Sequence, residues 1–240
     1  MNEAPQPIRI LIHGASGRMG QALLRLAEER DDIVVVAAVS RSQPAQRVVE
    51  GVAHFAVSEL AGAPEFDAAI DFSLPEGFDA ILQLCAERGA ALVSGTTGLE
   101  VAQRDAMAAA STRIPLLWAA NFSLGVAVLS ELVERAAAAL PGWDCDIVES
   151  HHVHKKDAPS GTALALGASA EQGGAQPRYQ SLRAGDIVGE HFVQFTTLGE
   201  RIELNHRATN RDIFARGALH AAVRLARRAP GSYRLRDLLS

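Results

Sequence analysis

Short apolar runs alternate with helix-forming stretches along the first half of the chain. The apolar runs lie at residues 8–12, 33–39, 68–70, 91–93 and 114–118. The stretches between them are rich in Ala, Leu, Glu and Arg, and they predict helices at residues 18–29, 75–88 and 101–110. Strands that alternate with helices are typical of a parallel sheet with helices on both faces. The pattern therefore predicts an α/β domain with a Rossmann-like, doubly wound parallel sheet.

The pattern changes after residue 121. A long Ala- and Leu-rich helix is predicted at residues 124–140, and extended runs follow at residues 145–153, 191–197 and 201–207. Apart from a helix after Ser160, no helix separates these runs, which indicates an antiparallel or mixed sheet. A last amphipathic helix is predicted at residues 212–228. We therefore expect a smaller α+β domain at residues 123–210, beside a first domain formed by residues 1–122 and 211–240.

A glycine-rich turn joins the first predicted strand to the first helix. It reads Gly14-Ala15-Ser16-Gly17-Arg18-Met19-Gly20. Glycine allows the tight turn and lets a pyrophosphate approach the backbone, while the helix N-terminus favours the anion. Because a strand and a helix flank the motif, it predicts dinucleotide binding by residues 14–19 rather than a purely structural turn.

The second predicted strand ends in Ser40-Arg41, where NAD-preferring proteins usually carry an acid that binds the ribose diol. An arginine and a hydroxyl suit a 2′-phosphate instead, so we expect NADPH to be preferred and NADH to remain possible. The alternative is that Arg41 is a solvated loop residue, because loop arginines are common.

Two further turns follow predicted parallel strands, at the strand ends where doubly wound sheets bind ligands. Small residues in such turns let a nicotinamide ring lie against the backbone. Either turn alone would be unremarkable, but their shared location predicts cofactor contacts from Gly95, Thr96, Thr97, Ala119, Ala120, Asn121 and Phe122.

A basic segment, His151-His152-Val153-His154-Lys155-Lys156, lies in a chain whose formal net charge is −5. The turn that contains Ser160, Gly161 and Thr162 follows and opens a helix. Imidazoles titrate near neutral pH, ammonium groups attract anions, and helix-opening amides bind carboxylates. Together they predict a pocket that holds a small acid and gives it a proton.

A purely structural histidine cluster is one alternative, and a metal site is another, since His152 and His154 would share one face of a strand. No third ligand has a recognisable spacing, and Lys155 and Lys156 would repel a cation. We therefore expect no metal.

Composition narrows the class of protein further. The chain has 240 residues, of which 48% are hydrophobic and 21% charged, as in ordinary globular proteins. No apolar run approaches the roughly 20 residues of a membrane span, and no basic leader precedes an apolar stretch, so we expect a cytoplasmic protein without a membrane partner. The acidic net charge argues against nucleic acid as a partner. The widely separated Cys85 and Cys145 predict buried, reduced thiols.

The sequence resembles the 4-hydroxy-tetrahydrodipicolinate reductase family (dihydrodipicolinate reductases) nearly from end to end. The resemblance rests on residues 14–20, 71–77, 95–98, 120–123 and 184–191, and its most specific block is residues 149–162. It implies a nicotinamide-dependent reduction of a cyclic dicarboxylate in diaminopimelate and lysine biosynthesis.

The resemblance also implies roles for residues of the basic segment. His151 and Lys155 match the proposed acid groups of the family, and His152, Gly161 and Thr162 match residues that contact the substrate carboxylates. From its position we expect Ser160 to add a hydroxyl donor. A homotetramer assembled through the sheets of the second domain is implied as well.

Two other functions remain open on the residues alone. The first is a related Rossmann dehydrogenase acting on another small imine or aldehyde dicarboxylate, and the second is a catalytically silent dinucleotide sensor. The intact basic segment argues against a sensor, because a sensor needs no proton donor.

Overall fold

A computed structural model describes residues 6–239. These residues form two compact units. The first comprises the chain up to Phe122 together with the segment from Phe214 onward, and the second comprises Ser123–Ile213. The first domain expected from the sequence also includes residues 1–5 and 240, which lie outside the described residues.

Most strands of the first unit are followed by a helix, whereas the second unit is richer in strands. In chain order the elements are β1 (Ile8–His13), α1 (Arg18–Ala27), β2 (Ile33–Ser40), β3 (Val48–Val49), β4 (Val52–Ala56), β5 (Ala68–Asp71), α2 (Pro75–Arg88), β6 (Ala91–Ser94), α3 (Val101–Ala110), β7 (Pro115–Trp118), α4 (Leu124–Ala139), β8 (Asp144–His151), α5 (Gly161–Gln172), β9 (Pro177–Arg183), β10 (Gly189–Thr197), β11 (Glu200–Ala208), α6 (Asp212–Leu225) and β12 (Gly231–Tyr233). Short 3-10 helices lie at Val57–Gly62 and Leu235–Leu238.

The first unit contains an eight-stranded sheet in the order β12-β7-β6-β5-β1-β2-β4-β3. All neighbouring strands are parallel except β3 and β4. The predicted Rossmann-like parallel sheet is therefore confirmed. The carboxyl ends of β1, β5, β6 and β7 lie along one edge, and the predicted cofactor turns leave the sheet there.

The limits of α2 and α3 are those predicted from the sequence. Pro75 opens α2, because its missing amide hydrogen and fixed φ suit the first helical position. α1 and α6 end slightly earlier than predicted. Residues 10–13 of β1 and all residues of β5 and β6 are buried, as expected for mainly apolar strands inside a parallel sheet.

The second unit contains a four-stranded sheet in the order β11-β10-β8-β9, with β8 and β9 parallel and the other pairs antiparallel. The predicted mixed sheet is confirmed. Its core lies between one face of the sheet and the helices α4 and α5. The buried members are Leu129, Val133, Ala137, Cys145, Ile147, Ala163, Leu166, Ala170, Val193 and Phe195.

Several strands were not predicted from the sequence: β3, β4, β9 and β12. β9 begins at Pro177, shortly after α5 ends at Gln172. Its sequence is mainly polar and its side chains are mostly exposed or half-buried, so the apolar alternation that marks a strand is weak. Cys85 and Cys145 are both buried free thiols, as expected.

Candidate active site

The glycine-rich turn lies at the carboxyl end of β1. The Gly14 amide donates to the Val39 carbonyl of β2 over 2.9 Å, and Gly14 has a positive φ of 84°. A Cβ on Gly20 would lie 2.4 Å from the Gly14 carbonyl oxygen, so glycine lets α1 pack directly onto the turn. No side chain caps the N-terminus of α1, where Gly17 is the capping residue. The turn thus presents backbone amides at a helix N-terminus, an arrangement that suits a pyrophosphate.

A pocket of about 490 Å³ lies beside this turn. Its lining includes Ala15 and Ser16 from the turn, and Ser40 and Arg41 from the end of β2. The structure thus brings together two motifs that the sequence analysis treated separately. Around the turn, Gly14 and Met19 are half-buried, Ala15 is buried, and Ser16, Gly17, Arg18 and Arg41 are exposed.

A buried carboxylate, Asp71, lies at the end of β5 between the ends of β1 and β6. Its Oδ1 accepts from His13 Nδ1 at 2.9 Å and from the Ser73 amide at 3.1 Å. Its Oδ2 accepts from the hydroxyls of Ser94 at 2.8 Å and Thr96 at 2.7 Å. We call these five residues the Asp71 network.

Burial by itself raises the pKa of Asp71, but the hydrogen bonds and charge of His13 and the other donors outweigh that effect, so the pKa falls below its usual value. Asp71 is therefore an ionised, fully buried group. The sequence analysis did not identify this network. The available signal was that β1, β5 and β6, three neighbouring apolar strands, each end in a polar residue.

The turn after β6 is held by close packing and by the Asp71 network. A Cβ on Gly95 would lie 2.2 Å from the Phe72 ring, so glycine is required for this approach. Thr96 is buried, and its hydroxyl is committed to Asp71, whereas Thr97 is exposed. The Thr96 carbonyl accepts from the indole nitrogen of Trp118 at 2.8 Å.

The turn after β7 lies beside the turn after β6. The Ala119 amide donates to the Ser94 carbonyl over 3.1 Å, and Phe122 packs edge-on against Phe72 with 5.4 Å between ring centres. Ala120 is exposed and Asn121 is half-buried. The structure therefore places the two predicted nicotinamide turns next to each other.

In the second unit, the buried carboxylate of Glu149 on β8 joins several predicted site residues. Arg183 on β9 binds both of its oxygens, at 2.7 and 2.9 Å. His151 Nδ1 lies 2.5 Å from Oε2, and the Ser160 amide donates to Oε1 over 3.2 Å. Glu149 is 0% exposed. We call these four residues the Glu149 cluster.

The charge states of this cluster follow from its contacts. Burial raises the pKa of Glu149, but hydrogen bonds from Arg183, Ser181 and His151 outweigh it and lower the pKa to about 2. Burial lowers the pKa of His151, and the positive charges of Lys155 and Arg183 act in the same direction, while Glu149 opposes the shift. Because an ionised carboxylate only accepts hydrogen bonds, the hydrogen of His151 is on Nδ1.

Lys155 and His152 lie on the segment that follows β8. The Lys155 ammonium pairs with the Asp157 carboxylate at 2.8 Å, with 23% and 57% of the two side chains exposed. His152 Nε2 lies 3.3 Å from a guanidinium nitrogen of Arg211. His152 Nδ1 is buried and has no hydrogen-bond partner among residues 6–239.

Ser160 is buried, and its hydroxyl contacts other residues of the protein. Its hydroxyl caps α5 by accepting from the Ala163 amide at 3.2 Å, and it lies 3.3 Å from His191 Nε2. The predicted carboxylate contacts Gly161 and Thr162 follow in the first turn of α5, where Gly161 is exposed and Thr162 half-buried. Ser160 therefore fixes the helix N-terminus on which those two residues lie.

Two more histidines extend from the cluster along the sheet. The ring of His191 lies 5.2 Å from that of His151 and 6.3 Å from that of His206. Burial, followed by the neighbouring imidazoles, lowers the pKa of His191 to about 4, so it is neutral at physiological pH. The sequence analysis placed His191 at the start of a predicted extended run and within residues 184–191, part of the family resemblance, but it assigned no role to this residue.

Residues 6–239 contain no group of three or more His, Cys, Asp or Glu residues that is arranged to hold a metal ion. Every helix in the same residues falls short of the length and apolar character that a membrane span requires.

Comparison with known proteins decides the family. The family models for the N-terminus and the C-terminus of dihydrodipicolinate reductase match residues 8–122 and 125–239. This chain belongs to the dihydrodipicolinate reductase family. A 4-hydroxy-tetrahydrodipicolinate reductase of Stenotrophomonas maltophilia is 74% identical over 240 residues and the full length of both chains. One from Xylella fastidiosa is 64% identical over 232 residues, covering 97% of this chain and 98% of the relative.

Solved structures agree with this family at the level of the fold. The dipicolinate-bound dihydrodipicolinate reductase from Paenisporosarcina sp. TG-14 has a TM-score of 0.80 at 21% identity, covering 95% of this chain and 98% of that chain. An engineered D-amino acid dehydrogenase bound to NADP+ has a TM-score of 0.61 at 17% identity, covering 98% and 96%.

Dihydrodipicolinate reductases use a nicotinamide cofactor, and the first unit of this family member fits one. Glycine at position 20 lets α1 pack closely on the turn, and no side chain caps the N-terminus of α1, where the backbone amides would face the pyrophosphate. The pocket beside it has a volume typical of small-molecule sites, about 300–1,000 Å³.

Proposed function

We propose that this protein reduces 4-hydroxy-tetrahydrodipicolinate to tetrahydrodipicolinate with a nicotinamide cofactor, in the biosynthesis of diaminopimelate and lysine. The observation that carries the proposal is the Glu149 cluster. It places an oriented imidazole, His151, on the same short segment as the Lys155 ammonium and the N-terminus of α5. Proton donors and anion-binding groups are thus held together on one unit.

The chemistry of the substrate matches these groups. It is a cyclic imine with two carboxylates and a ring hydroxyl that leaves as water, and the reduced cofactor supplies a hydride. Addition of hydride to the conjugated ring carbon leaves an enamine that must be protonated. His151 and Lys155 are the proposed general acids, a role that contributes about 10²–10⁴-fold to rate.

The substrate carboxylates are assigned to the segment between His151 and α5. Gly161 and Thr162 offer backbone amides and a hydroxyl at the positive end of the helix dipole. His152 adds an imidazole whose Nδ1 is unpaired among the described residues. Ser160 contributes by capping the helix and so holding the two amides in place.

NADPH is the proposed preferred cofactor. Ser40 and Arg41 line the pocket beside the glycine turn, and none of its lining residues within 6–239 is an Asp or Glu. A guanidinium and a hydroxyl bind a 2′-phosphate, whereas a carboxylate would repel it. NADH lacks that phosphate and therefore lacks the ion pair with Arg41.

A cytoplasmic homotetramer is proposed, assembled through the second unit. α4 and α5 pack on one face of its sheet, and the residues of the other face are half-buried or exposed. Phe192 and Val148, which are direct partners across β10 and β8, form an apolar centre on that face.

Sedimentation should give a tetramer for the wild type and smaller species for Phe192→Arg, while Leu198→Arg, at a 99% exposed position, should leave the tetramer intact. A monomeric wild type would contradict this assembly.

The experiment that tests the function is a coupled assay. Freshly generated 4-hydroxy-tetrahydrodipicolinate is mixed with the purified protein and NADPH, and the nicotinamide absorbance band is followed. We expect loss of the band that depends on both protein and substrate. An unchanged band with measurable NADPH binding would instead identify a dinucleotide-binding protein without this activity.

A further inference from the structure

The Glu149 cluster connects three parts of the proposed substrate pocket. Glu149 holds the side chain of His151, the amide of Ser160 and the guanidinium of Arg183. Arg183 also donates to the backbone carbonyls of Lys155 at 3.3 Å and Asp157 at 2.5 Å. One ion pair therefore fixes an imidazole, a helix N-terminus and the segment that carries Lys155.

We propose that Glu149, held by Arg183, is the positioning residue of His151: it keeps the imidazole hydrogen on Nδ1 and leaves Nε2 for the substrate. The inference rests on the proposed function and deepens it, because it assigns the nitrogen of His151 that meets the reacting molecule. Glu149 acts through His151, since its own side chain is completely buried.

The surroundings of His151 explain why a carboxylate is needed there. This imidazole is largely buried, and it lies near the positive charges of Lys155 and Arg183 and beside the ring of His191. Burial and the two positive charges disfavour the protonated imidazole. The Glu149 carboxylate, which contacts the ring, opposes them by stabilising that protonated form. A Cβ on Gly189 would lie 3.0 Å from His151 Nε2, so glycine keeps space open on that side of the ring.

A purely structural role is the competing explanation, because an Arg–carboxylate pair also ties β8 to β9. The same two strands provide a matched control. Asp146 on β8 pairs with Arg178 on β9 through two hydrogen bonds of 2.8 and 2.9 Å. That pair ties the same strands but contacts no histidine.

The first experiment compares Glu149→Gln with Asp146→Asn in the reductase assay over a range of pH. For Glu149→Gln we expect kcat to fall about 10- to 1,000-fold, within the contribution of a positioned general acid, with a smaller change in KM. Loss of the negative charge disfavours protonated His151, so the alkaline limb of the kcat profile should move to lower pH. Asp146→Asn should keep the wild-type profile. If Glu149→Gln also kept it, the proposal would be overturned.

A double-mutant cycle separates positioning of His151 from any independent effect. In a His151→Gln background, Glu149→Gln should lower kcat by a much smaller factor than in the wild type, because the imidazole that it orients is gone and only its contacts to Ser160 and Arg183 remain. An equal fold-loss in both backgrounds would show that Glu149 acts without His151 and would refute the assignment.

The third measurement needs no change at Glu149, so it holds even if that variant fails to fold. The ¹⁵N resonances of the His151 ring in the wild-type protein, assigned by comparison with His151→Gln, should show the neutral form protonated on Nδ1. The Nε2-protonated form would contradict the proposal. A wild type that has the Nδ1 form but does not turn over the substrate would instead overturn the proposed function alone.

Discussion

Replacing Asp71 by Asn should lower the free energy of unfolding by about 1.5–3 kcal/mol, the range for a hydrogen bond to a charged group. Asp71 is 0% exposed and accepts four hydrogen bonds, two on each oxygen. An amide keeps one accepting oxygen and presents N–H groups where the other oxygen was. The hydroxyls of Ser94 and Thr96 can rotate to accept from that amide, but the buried His13 loses its charged partner.

A matched control lies at the opposite end of the same strand. Asp67 precedes β5 and pairs with Arg9 at 2.7 Å, but 33% and 46% of these two side chains are exposed. Exposed ion pairs contribute about 0–1 kcal/mol. Asp67→Asn should therefore cost no more than that, although it removes the same charge from the same region of sequence.

The measurement is guanidinium unfolding followed by the fluorescence of Trp118, whose indole donates to Thr96 beside the Asp71 network. Replacing Trp143 by Phe leaves Trp118 as the single tryptophan, because the chain contains two. Equal losses of unfolding free energy for Asp71→Asn and Asp67→Asn would refute the reasoning, since burial would then have no influence.

The pH dependence gives a second check on the same residue. The pKa of Asp71 in the folded protein lies below its ordinary value of 3.8. The charge therefore stabilises the fold fully above that ordinary value, and the stabilisation is lost as the pH falls towards the folded-state pKa. The difference between wild type and Asp71→Asn should be constant near neutral pH and shrink below about pH 4.

Three further outcomes test the proposed site. Lys155→Ala should abolish most turnover while leaving NADPH affinity nearly unchanged, whereas Lys156→Ala, at an exposed neighbouring position, should retain activity. Titration measures NADPH affinity and steady-state kinetics measure turnover. Loss of NADPH affinity with intact turnover would contradict the role of Lys155 as a general acid. Arg41→Ala should raise KM for NADPH about 10–100-fold more than KM for NADH, with the gap shrinking at high salt, whereas Arg47→Ala, paired with Glu59, should not discriminate. Equal effects on both cofactors would make Arg41 a solvated loop residue. Pyridine-2,6-dicarboxylate should compete with substrate, and the mono-acid should bind more weakly by about 1.5–3 kcal/mol, the worth of one charge-assisted contact; absence of competition in inhibition kinetics would remove the substrate assignment.

The sequence was most informative where local rules decide structure. The apolar periodicity and the Pro75 start predicted the limits of α2, and the glycine spacing at residues 14–20 predicted a turn between β1 and α1. Contacts between distant residues were not accessible in this way. Asp71 meets Thr96, and Glu149 meets Arg183, only because strands that are far apart along the chain become neighbours in a sheet.

β9 illustrates why the remainder could not be predicted. Its mainly polar sequence resembles a loop, and it becomes a strand because α5 returns the chain parallel to β8. Arg183 at the end of this strand thereby reaches Glu149. The contacts of Ser160 with Glu149 and with the Ala163 amide were likewise not apparent from the sequence, and its expected contact with the ligand stays a prediction. Composition and spacing do not reveal which polar groups find their hydrogen-bond partners inside the folded protein.

The ion pair between Lys155 and Asp157 makes anion binding at this lysine an exchange reaction. An incoming carboxylate displaces a carboxylate that is already there, and Asp157, with 57% of its side chain exposed, returns to water. The net electrostatic gain is then the difference between the contact of Lys155 with the ligand carboxylate and its contact with Asp157. The affinity for an anionic ligand should therefore depend on ionic strength less steeply than the number of nearby cations suggests. In the proposed pocket we therefore expect Asp157 to disfavour small anions that offer a single charge, relative to ligands that bind at several points at once.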